Sequence, residues 1–192
     1  MYEKMKETIA SFEETIKSDK LKKLFDNCFY NTLDTTIEYL DDGSVYMLTG
    51  DIPAMWLRDS SASVLQYIEF AKEDEDVFNL IKGLIKRQFF YISIDPYANS
   101  FNRDPNGHGH TQDEGERTPY TWERKFEIDS LCYPIWLIYK LYKVTGRKEI
   151  LDSEFVKTCK IIIDVFKKEQ KHHELSDYYH YREGEREGFN IP

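Results

Sequence analysis

The sequence has few cysteines and no long hydrophobic stretch. Its three cysteines, Cys28, Cys132 and Cys159, cannot all pair within one chain, and none belongs to a Cys-x-x-Cys motif. Each lies among apolar residues, so we expect three reduced thiols in the core of a cytoplasmic protein. No apolar run approaches the length of a membrane span, and the first residues lack an apolar signal-peptide region. We therefore expect neither a signal peptide nor a membrane partner.

Positive charge is also in the minority, with 26 Lys and Arg against 35 Asp and Glu and a net charge of −9. This balance argues against nucleic acid or an anionic membrane as a partner. The chain is instead rich in apolar side chains, since 41% of its 192 residues are hydrophobic and 15% are aromatic. We expect residues 1–192 to form a single domain in which most of the aromatic side chains belong to the core.

Helical periodicity runs through most of the chain. It predicts helices over residues 3–17, after Asp19, from Ser60 or Ser61, after Asp74, from about Tyr133 to Gly146, and over residues 153–168. In the second helix the pattern predicts a buried stripe of Leu21, Leu24, Phe25, Cys28 and Phe29. Two β-prone runs flank the turn residues 41–44 and predict a short β-hairpin near residues 37–49. The fold class expected from this pattern is all-α.

Residues 95–127 have no helical period and many Gly, Pro, Asn and Asp residues. A loop of this length inside a compact domain is usually functional or disordered, and its aromatic residues favour an ordered, pocket-lining loop. His108 and His110 are suitable metal ligands in type. However, two neighbouring glycines make this segment flexible, and no distant third ligand is evident. We predict no metal site and no cofactor.

The stretch TGDIPAMWLRDS, residues 49–60, is the most informative part of the chain. Gly50 and Pro53 exclude a regular helix or a central strand across it. Trp56 offers a flat apolar face, and Arg58 and Asp59 offer a donor fork and an acceptor, a combination that suits a sugar. The alternative is a buried Arg58–Asp59 pair that only fixes a loop. These residues by themselves favour neither interpretation.

This stretch resembles the signature of glycoside hydrolase family 125, the exo-α-1,6-mannosidases. Two further stretches resemble other blocks of that family, in the family's order: IDPYANSFN at residues 94–102 and WERKFEIDSLCYP at residues 122–134. The resemblance runs from about Leu21 to Asp177. It implies an (α/α)6 toroid and inverting removal of terminal mannose from α-1,6-linked mannosides or N-glycan-derived oligosaccharides. Family members are about twice as long, so the chain corresponds to about the first half of the toroid.

The resemblance also implies which residues hold the terminal mannose: Asp51, Trp56, Arg58, Asp59, Asn102, Trp122, Arg124 and Glu127. An inverting glycosidase further needs two carboxyl groups about 6.5–9.5 Å apart. The candidates in this chain are Asp59, Glu127 and Asp129. None has the apolar surroundings that typically keep an acid protonated, and the family's acid and base lie in later blocks. We therefore expect no catalytic residue here, and a chain that is inactive alone.

Other interpretations remain open at this point. Arg124 and Lys125 could form salt bridges to neighbouring helices instead of contacting a sugar. The chain could be a non-catalytic mannoside-binding protein that keeps the sugar-reading face without an acid and a base. It could also be a structural helical domain whose aromatic residues form only a core.

Overall fold

The computed structural model describes residues 1–110 and 113–182. Most of this part of the chain is helical, as the periodicity predicts. Seven α-helices follow one another in it: α1 (Glu3–Glu13), α2 (Asp19–Thr35), α3 (Leu57–Ser63), α4 (Glu75–Ile94), α5 (Ile128–Thr145), α6 (Ser153–Glu169) and α7 (His172–Leu175). A 3₁₀ segment, Leu65–Lys72, follows α3 and leads towards α4.

Short strands occupy the long connections between these helices. They are β1 (Ile37–Tyr39), β2 (Val45–Met47), β3 (Met55–Trp56), β4 (Ser100–Phe101), β5 (Asp113–Glu114), β6 (Thr121–Glu123) and β7 (Tyr181–Arg182). Strands β1 and β2 pair antiparallel and confirm the predicted hairpin. A three-stranded sheet has the order β3-β4-β6, and β5 pairs with β7. The connection over residues 95–127 is therefore built around strands, without a helix in its described part.

Helix α4 lies at the centre of the core. The apolar residues whose helical spacing predicts its core face are all buried: Val77, Leu80, Ile81, Leu84, Ile85 and Ile92. The helix packs against the 3₁₀ segment, β2, α5 and α6. Gly83 allows the close approach of β2, because a Cβ at this position would lie 2.7 Å from Cγ2 of Val45. The hairpin thus packs closely on the helix that contributes more buried hydrophobic residues than any other element.

Local signals fix several helix ends where the sequence predicts them. The Asp74 carboxylate accepts hydrogen bonds from the first amides of α4, and the helix ends before Asp95. Gly146 ends α5 with φ 67°, in the left-handed region that glycine adopts without strain. The predicted cap of α2 is wrong by one residue, because the Ser18 hydroxyl is the acceptor and Asp19 is already helical.

Two helices begin earlier than predicted. Helix α3 starts at Leu57 instead of Ser60 or Ser61, and α5 starts at Ile128 instead of near Tyr133. Pro134 therefore lies inside α5 and not in its first turn. The early turns are held by tertiary burial, since Leu57 and Leu131 are fully buried. As a result, Arg58 and Asp59 lie in the first turn of a helix and not in an irregular segment.

The buried stripe predicted for α2 is wrong. Leu21 and Leu24 are 57% and 56% exposed, and only Phe29 of the stripe is buried. The prediction of three core cysteines is wrong as well, because Cys28 and Cys132 are exposed and Cys159 is half-buried; all three are free thiols. Periodicity shows that a helix has an apolar face, but it does not show what covers that face.

No helix in the described part of the chain is both long and apolar enough to span a membrane. Near the C-terminus, where the sequence has no clear period, the structure adds the single turn of α7. Residues 183–188, EGEREG, have a composition that predicts a surface turn. They lie outside the described residues.

Candidate functional site

The three-stranded sheet brings the three motif stretches together. Trp56, in the first stretch, pairs with Ser100 in the second, and Ser100 pairs with Glu123 in the third. Helix α3 begins directly after β3, and α5 begins five residues after β6. The N-terminal turns of both helices therefore emerge beside the same small sheet, where their polar side chains meet.

Arg58 is the centre of this meeting point. Its Nη1 donates to Oδ2 of Asp129 at 2.9 Å and to Oε2 of Glu127 at 3.3 Å. Its Nη2 lies 3.5 Å from Oδ2 of Asp59, and Lys125 Nζ lies 3.7 Å from the other oxygen of Glu127. Two cations and three carboxylates thus form one cluster, which we call the Arg58 cluster. Three of the residues predicted to bind mannose belong to it.

The Arg58 cluster is open to solvent. The side chains of Arg58, Asp59 and Asp129 are 37%, 49% and 45% exposed. The hydrogen bond to Asp129, followed by the charges of the three carboxylates, raises the pKa of Arg58, and burial opposes this rise only in part. The Arg58–Asp59 pair is therefore not buried, and Asp59 is the most distant of the three acids. A role of the pair in binding a sugar stays a prediction.

A second set of contacts lies along β6. Glu123 is buried and accepts a hydrogen bond from Nδ2 of Asn99 at 2.7 Å, and Nε2 of His110 lies 3.8 Å from its other oxygen. The His110 ring meets Trp122 edge-on, with centroids 6.0 Å apart. Gly109 allows its segment to lie close to β6, because a Cβ there would lie 2.0 Å from Nη1 of Arg117 and 2.4 Å from the carbonyl oxygen of Trp122. The glycine beside His110 thus serves close packing, whereas the sequence suggested flexibility.

Like Trp122, the predicted mannose-binding residues Asn102 and Asp51 are not part of the Arg58 cluster. Asn102 is almost fully buried, and its amide donates to the carbonyls of His108 at 2.8 Å and Pro119 at 3.3 Å. It holds the loop after β4 in place. Asp51 is exposed in the turn that precedes β3. A role for either residue in mannose binding stays a prediction.

Arg124 belongs to another cluster. Its Nε donates to Oδ2 of buried Asp95 at 2.9 Å, and its guanidinium lies 5.3 Å from the ring centres of both Tyr97 and Tyr178. Burial raises the pKa of Asp95, although Arg124 opposes the shift. Tyr178 also accepts a hydrogen bond from the amide of Phe126. These contacts match the alternative in which Arg124 forms a structural ion pair, and its sugar-binding role stays a prediction.

Sequence reasoning missed several members of these sets. The sequence indicates Asp95, followed by Pro96, only as the end of a helix, and Asn99 only as part of a motif stretch. His110 was considered only as a metal ligand. The available signal was the density of polar residues in the loop over residues 95–127, but their partners are distant in sequence. In the described part of the chain, no group of three or more His, Cys, Asp or Glu side chains is arranged to hold a metal ion.

A model of the family described as metal-independent α-mannosidase (GH125) matches residues 18–190. The chain is also similar to the meiotically up-regulated gene 157 protein of Schizosaccharomyces pombe. The two are 32% identical over 177 residues, which cover 86% of this chain and 35% of the yeast protein.

A solved structure from Streptococcus pneumoniae is similar over most of the chain. It is described as a metal-independent α-mannosidase in a non-productive complex with α-1,6-mannobiose. The TM-score is 0.88 at 43% identity, and the match covers 95% of this chain and 43% of the pneumococcal chain. The chain thus spans less than half the length of either relative. The helices described above correspond to part of a helical toroid, as expected.

Proposed function

The chain belongs to glycoside hydrolase family 125, the metal-independent α-mannosidases. We propose that it is part of an inverting exo-α-1,6-mannosidase and that it binds the terminal mannose of the substrate. The observation that carries this proposal is the Arg58 cluster at the joint N-termini of α3 and α5, beside Trp56. The pneumococcal relative, with its bound α-1,6-mannobiose, supports the choice of linkage.

The chemistry of the Arg58 cluster suits a vicinal pair of hydroxyl groups. A guanidinium can donate to two oxygens at once, and carboxylates accept from the hydroxyl hydrogens. Such a site rejects a sugar in which one hydroxyl is missing or inverted, because a polar group of the site is then left without its partner. Trp56 adds an apolar face for the ring. In this proposal Arg58, Asp59 and Glu127 select mannose, and Asp129 orients Arg58.

We further propose that the acid and base of the reaction lie outside the described residues. Asp59, Glu127 and Asp129 all contact Arg58, whereas the acid of a glycosidase is commonly held in an apolar pocket. The 192-residue chain should therefore bind mannosides without hydrolysing them. We also propose a reducing, cytoplasmic location, which the three free thiols support.

Calorimetric titration with α-1,6-mannobiose, together with an assay of mannose release, tests these proposals. We expect saturable binding and no release above a blank without protein. Release by the chain alone would refute the proposed inactivity and would make Asp59, Glu127 and Asp129 catalytic candidates. Absence of binding would refute the mannose-reading role and would favour a structural helical domain.

A chimera separates a mannosidase from a non-catalytic binding protein. This chain can be joined to the part of the pneumococcal relative that it does not cover, since the two folds superpose with a TM-score of 0.88. We expect the chimera to release mannose, and the same chimera with Arg58→Ala to lose most of this activity. A folded chimera that binds mannobiose but remains inactive would contradict the enzymatic role.

A further inference from the structure

A cavity of about 270 Å³ lies between the hairpin turn, helix α4 and the segments that flank β4 and β6. Arg87 and Arg103 line it, together with the carboxylates of Asp41, Asp42 and Asp104 and the rings of Tyr39 and Tyr120. None of these residues belongs to the Arg58 cluster or to the three motif stretches. The cavity is therefore separate from the site proposed above.

Arg87 is the unusual member of this lining. The residue is 6% exposed, and its guanidinium makes no direct ion pair with a carboxylate among the described residues. Its charge nevertheless acts on Asp42, whose pKa is lowered mainly by the hydrogen bonds from Ser44 and further by the charges of Lys86 and Arg87. One Nη donates to the carbonyl oxygen of Arg103, and the buried Nε has no hydrogen-bond partner in the described structure. The guanidinium lies 4.6 Å from the ring centre of Tyr91 and 4.9 Å from that of Phe90.

An unpaired buried cation is costly, and aromatic faces compensate for only part of that cost. A buried arginine that borders a cavity without a carboxylate partner is thus a candidate for ligand binding.

Three other polar groups of the cavity, those of Arg103, Asp104 and Asp42, contact neighbouring residues. Nε of Arg103 lies 2.8 Å from Oε2 of Glu38, and its Nη1 lies 3.4 Å from Oδ2 of Asp104. Asp42 accepts hydrogen bonds from both the amide and the hydroxyl of Ser44, at 2.8 and 2.6 Å. A ligand that enters the cavity therefore meets groups whose orientation is already fixed, which lowers the entropic cost of binding.

The charges of the lining select the chemical class of the ligand. An anion would face three carboxylates, and a cation would face two guanidinium groups. An uncharged polyhydroxyl compound can accept hydrogen bonds from the arginines and donate to the aspartates at the same time. Ligand sites for drug-sized molecules measure about 300–1,000 Å³, so this smaller cavity suits a single sugar ring.

We propose that this cavity binds one uncharged sugar unit and is a second saccharide site of the chain. The proposal does not require that the chain hydrolyses glycosides. It also assigns a ligand to the guanidinium of Arg87, which packs on aromatic rings and makes no direct ion pair among the described residues.

Residue-resolved NMR titration of the ¹⁵N-labelled chain tests this proposal. The probes are methyl α-mannoside, which is uncharged, and glucuronate, which has a similar ring and a negative charge. We expect the mannoside to shift the amides of Tyr39 and Tyr120 in a saturable manner, and glucuronate to bind these positions more weakly. No saturable shift around the cavity, or tighter binding of glucuronate, would overturn the proposal.

Arg103→Ala should weaken mannoside binding at the cavity by about tenfold or more, the effect of losing a hydrogen bond to a charged group. It should leave the shifts around Arg58 unchanged. Asp104→Asn, which removes only the charge, gives a second variant if Arg103→Ala is poorly folded. Arg147→Ala, which removes an ion-paired arginine away from the cavity, is the matched control.

Unchanged affinity at the cavity in a folded Arg103→Ala or Asp104→Asn protein would refute the second site. Because each site has its own reporter amides, shifts confined to Arg58 would refute the second site while leaving the mannose-reading role intact. Shifts confined to the cavity would refute the mannose-reading role of the Arg58 cluster and support the second site.

Discussion

Replacing Arg58 with lysine keeps a positive charge at the start of α3 but removes the planar fork. In the structure this fork contacts Asp129 at 2.9 Å, Glu127 at 3.3 Å and Asp59 at 3.5 Å. A single ammonium group on a shorter reach cannot serve three carboxylates on two helices in the same geometry. At least one of the acids should lose its contact. Without the guanidinium, the proposed bidentate contact to a sugar cannot form either.

The expected magnitudes follow from exposure. The Arg58 side chain is 37% exposed, and ion pairs near the surface contribute about 0–1 kcal/mol each to stability. Arg58→Lys should therefore lower the free energy of unfolding by about 1 kcal/mol. A hydrogen bond from a charged group to a ligand contributes about 1.5–3 kcal/mol. The Kd for α-1,6-mannobiose should consequently rise by about 10- to 150-fold.

Calorimetric titration with α-1,6-mannobiose, run beside urea denaturation, measures both quantities. Arg147→Lys is the matched control: Arg147 is 32% exposed and contacts Glu75 at 2.5 Å and Glu149 at 2.6 Å. This control should lose similar stability and keep the wild-type Kd. An Arg58→Lys protein that binds mannobiose as tightly as wild type would refute the reasoning. So would a loss of about 3–5 kcal/mol in stability, the cost of breaking a buried ion pair.

Three further predictions test other parts of the structure. Gly109→Ala should lower the free energy of unfolding by about 1–3 kcal/mol, because the new Cβ would lie 2.4 Å from the carbonyl oxygen of Trp122; an unchanged urea midpoint would contradict this packing. Burial raises the pKa of Asp95, so the folded state keeps this proton to a higher pH than the unfolded chain does. The stability of wild type relative to Asp95→Asn should therefore fall as pH rises from 3.8 through the raised pKa. A difference that does not vary with pH would contradict that shift. In the native protein Cys28 should be alkylated faster than the half-buried Cys159, as mass spectrometry of the labelled peptides can determine; equal rates would contradict the observed exposures.

The parts of the fold that were predictable have local signals. Helix α4 has a capping Asp74, apolar residues at helical spacing and a Pro96 that prevents its continuation, so its start, core face and end follow from nearby residues. The start of α5 has no such signal. Pro134 favours a first turn, but Ser130 and Leu131 are buried against neighbouring helices, and this tertiary contact extends the helix backwards.

In the candidate site, too, the residue types could be predicted from local sequence, whereas the contacts between distant residues could not. Arg58 and Asp129 are 71 residues apart in the chain, so no periodicity within a window could reveal their contact. Chemistry and family resemblance identified Arg58, Asp59 and Glu127 as a group, but their shared geometry required the positions of two helix ends. The Asp95–Arg124 pair was missed for the same reason, since the two residues are 29 positions apart in the chain.

The three-stranded sheet also has a consequence for the order in which the molecule assembles. Strands β3 and β4 are separated in sequence by α3, the 3₁₀ segment and α4, so their pairing closes a long loop. Strand β6 joins the sheet by pairing with β4. The helices need mainly local contacts, whereas these strands are two or three residues long and need a closed loop first. The sheet should thus open more readily than the helices, with early amide exchange in β4 and β6. A sugar bound at the proposed Arg58 site, beside this sheet, would stabilise only the closed form, so saccharide concentration itself would set how often this region unfolds.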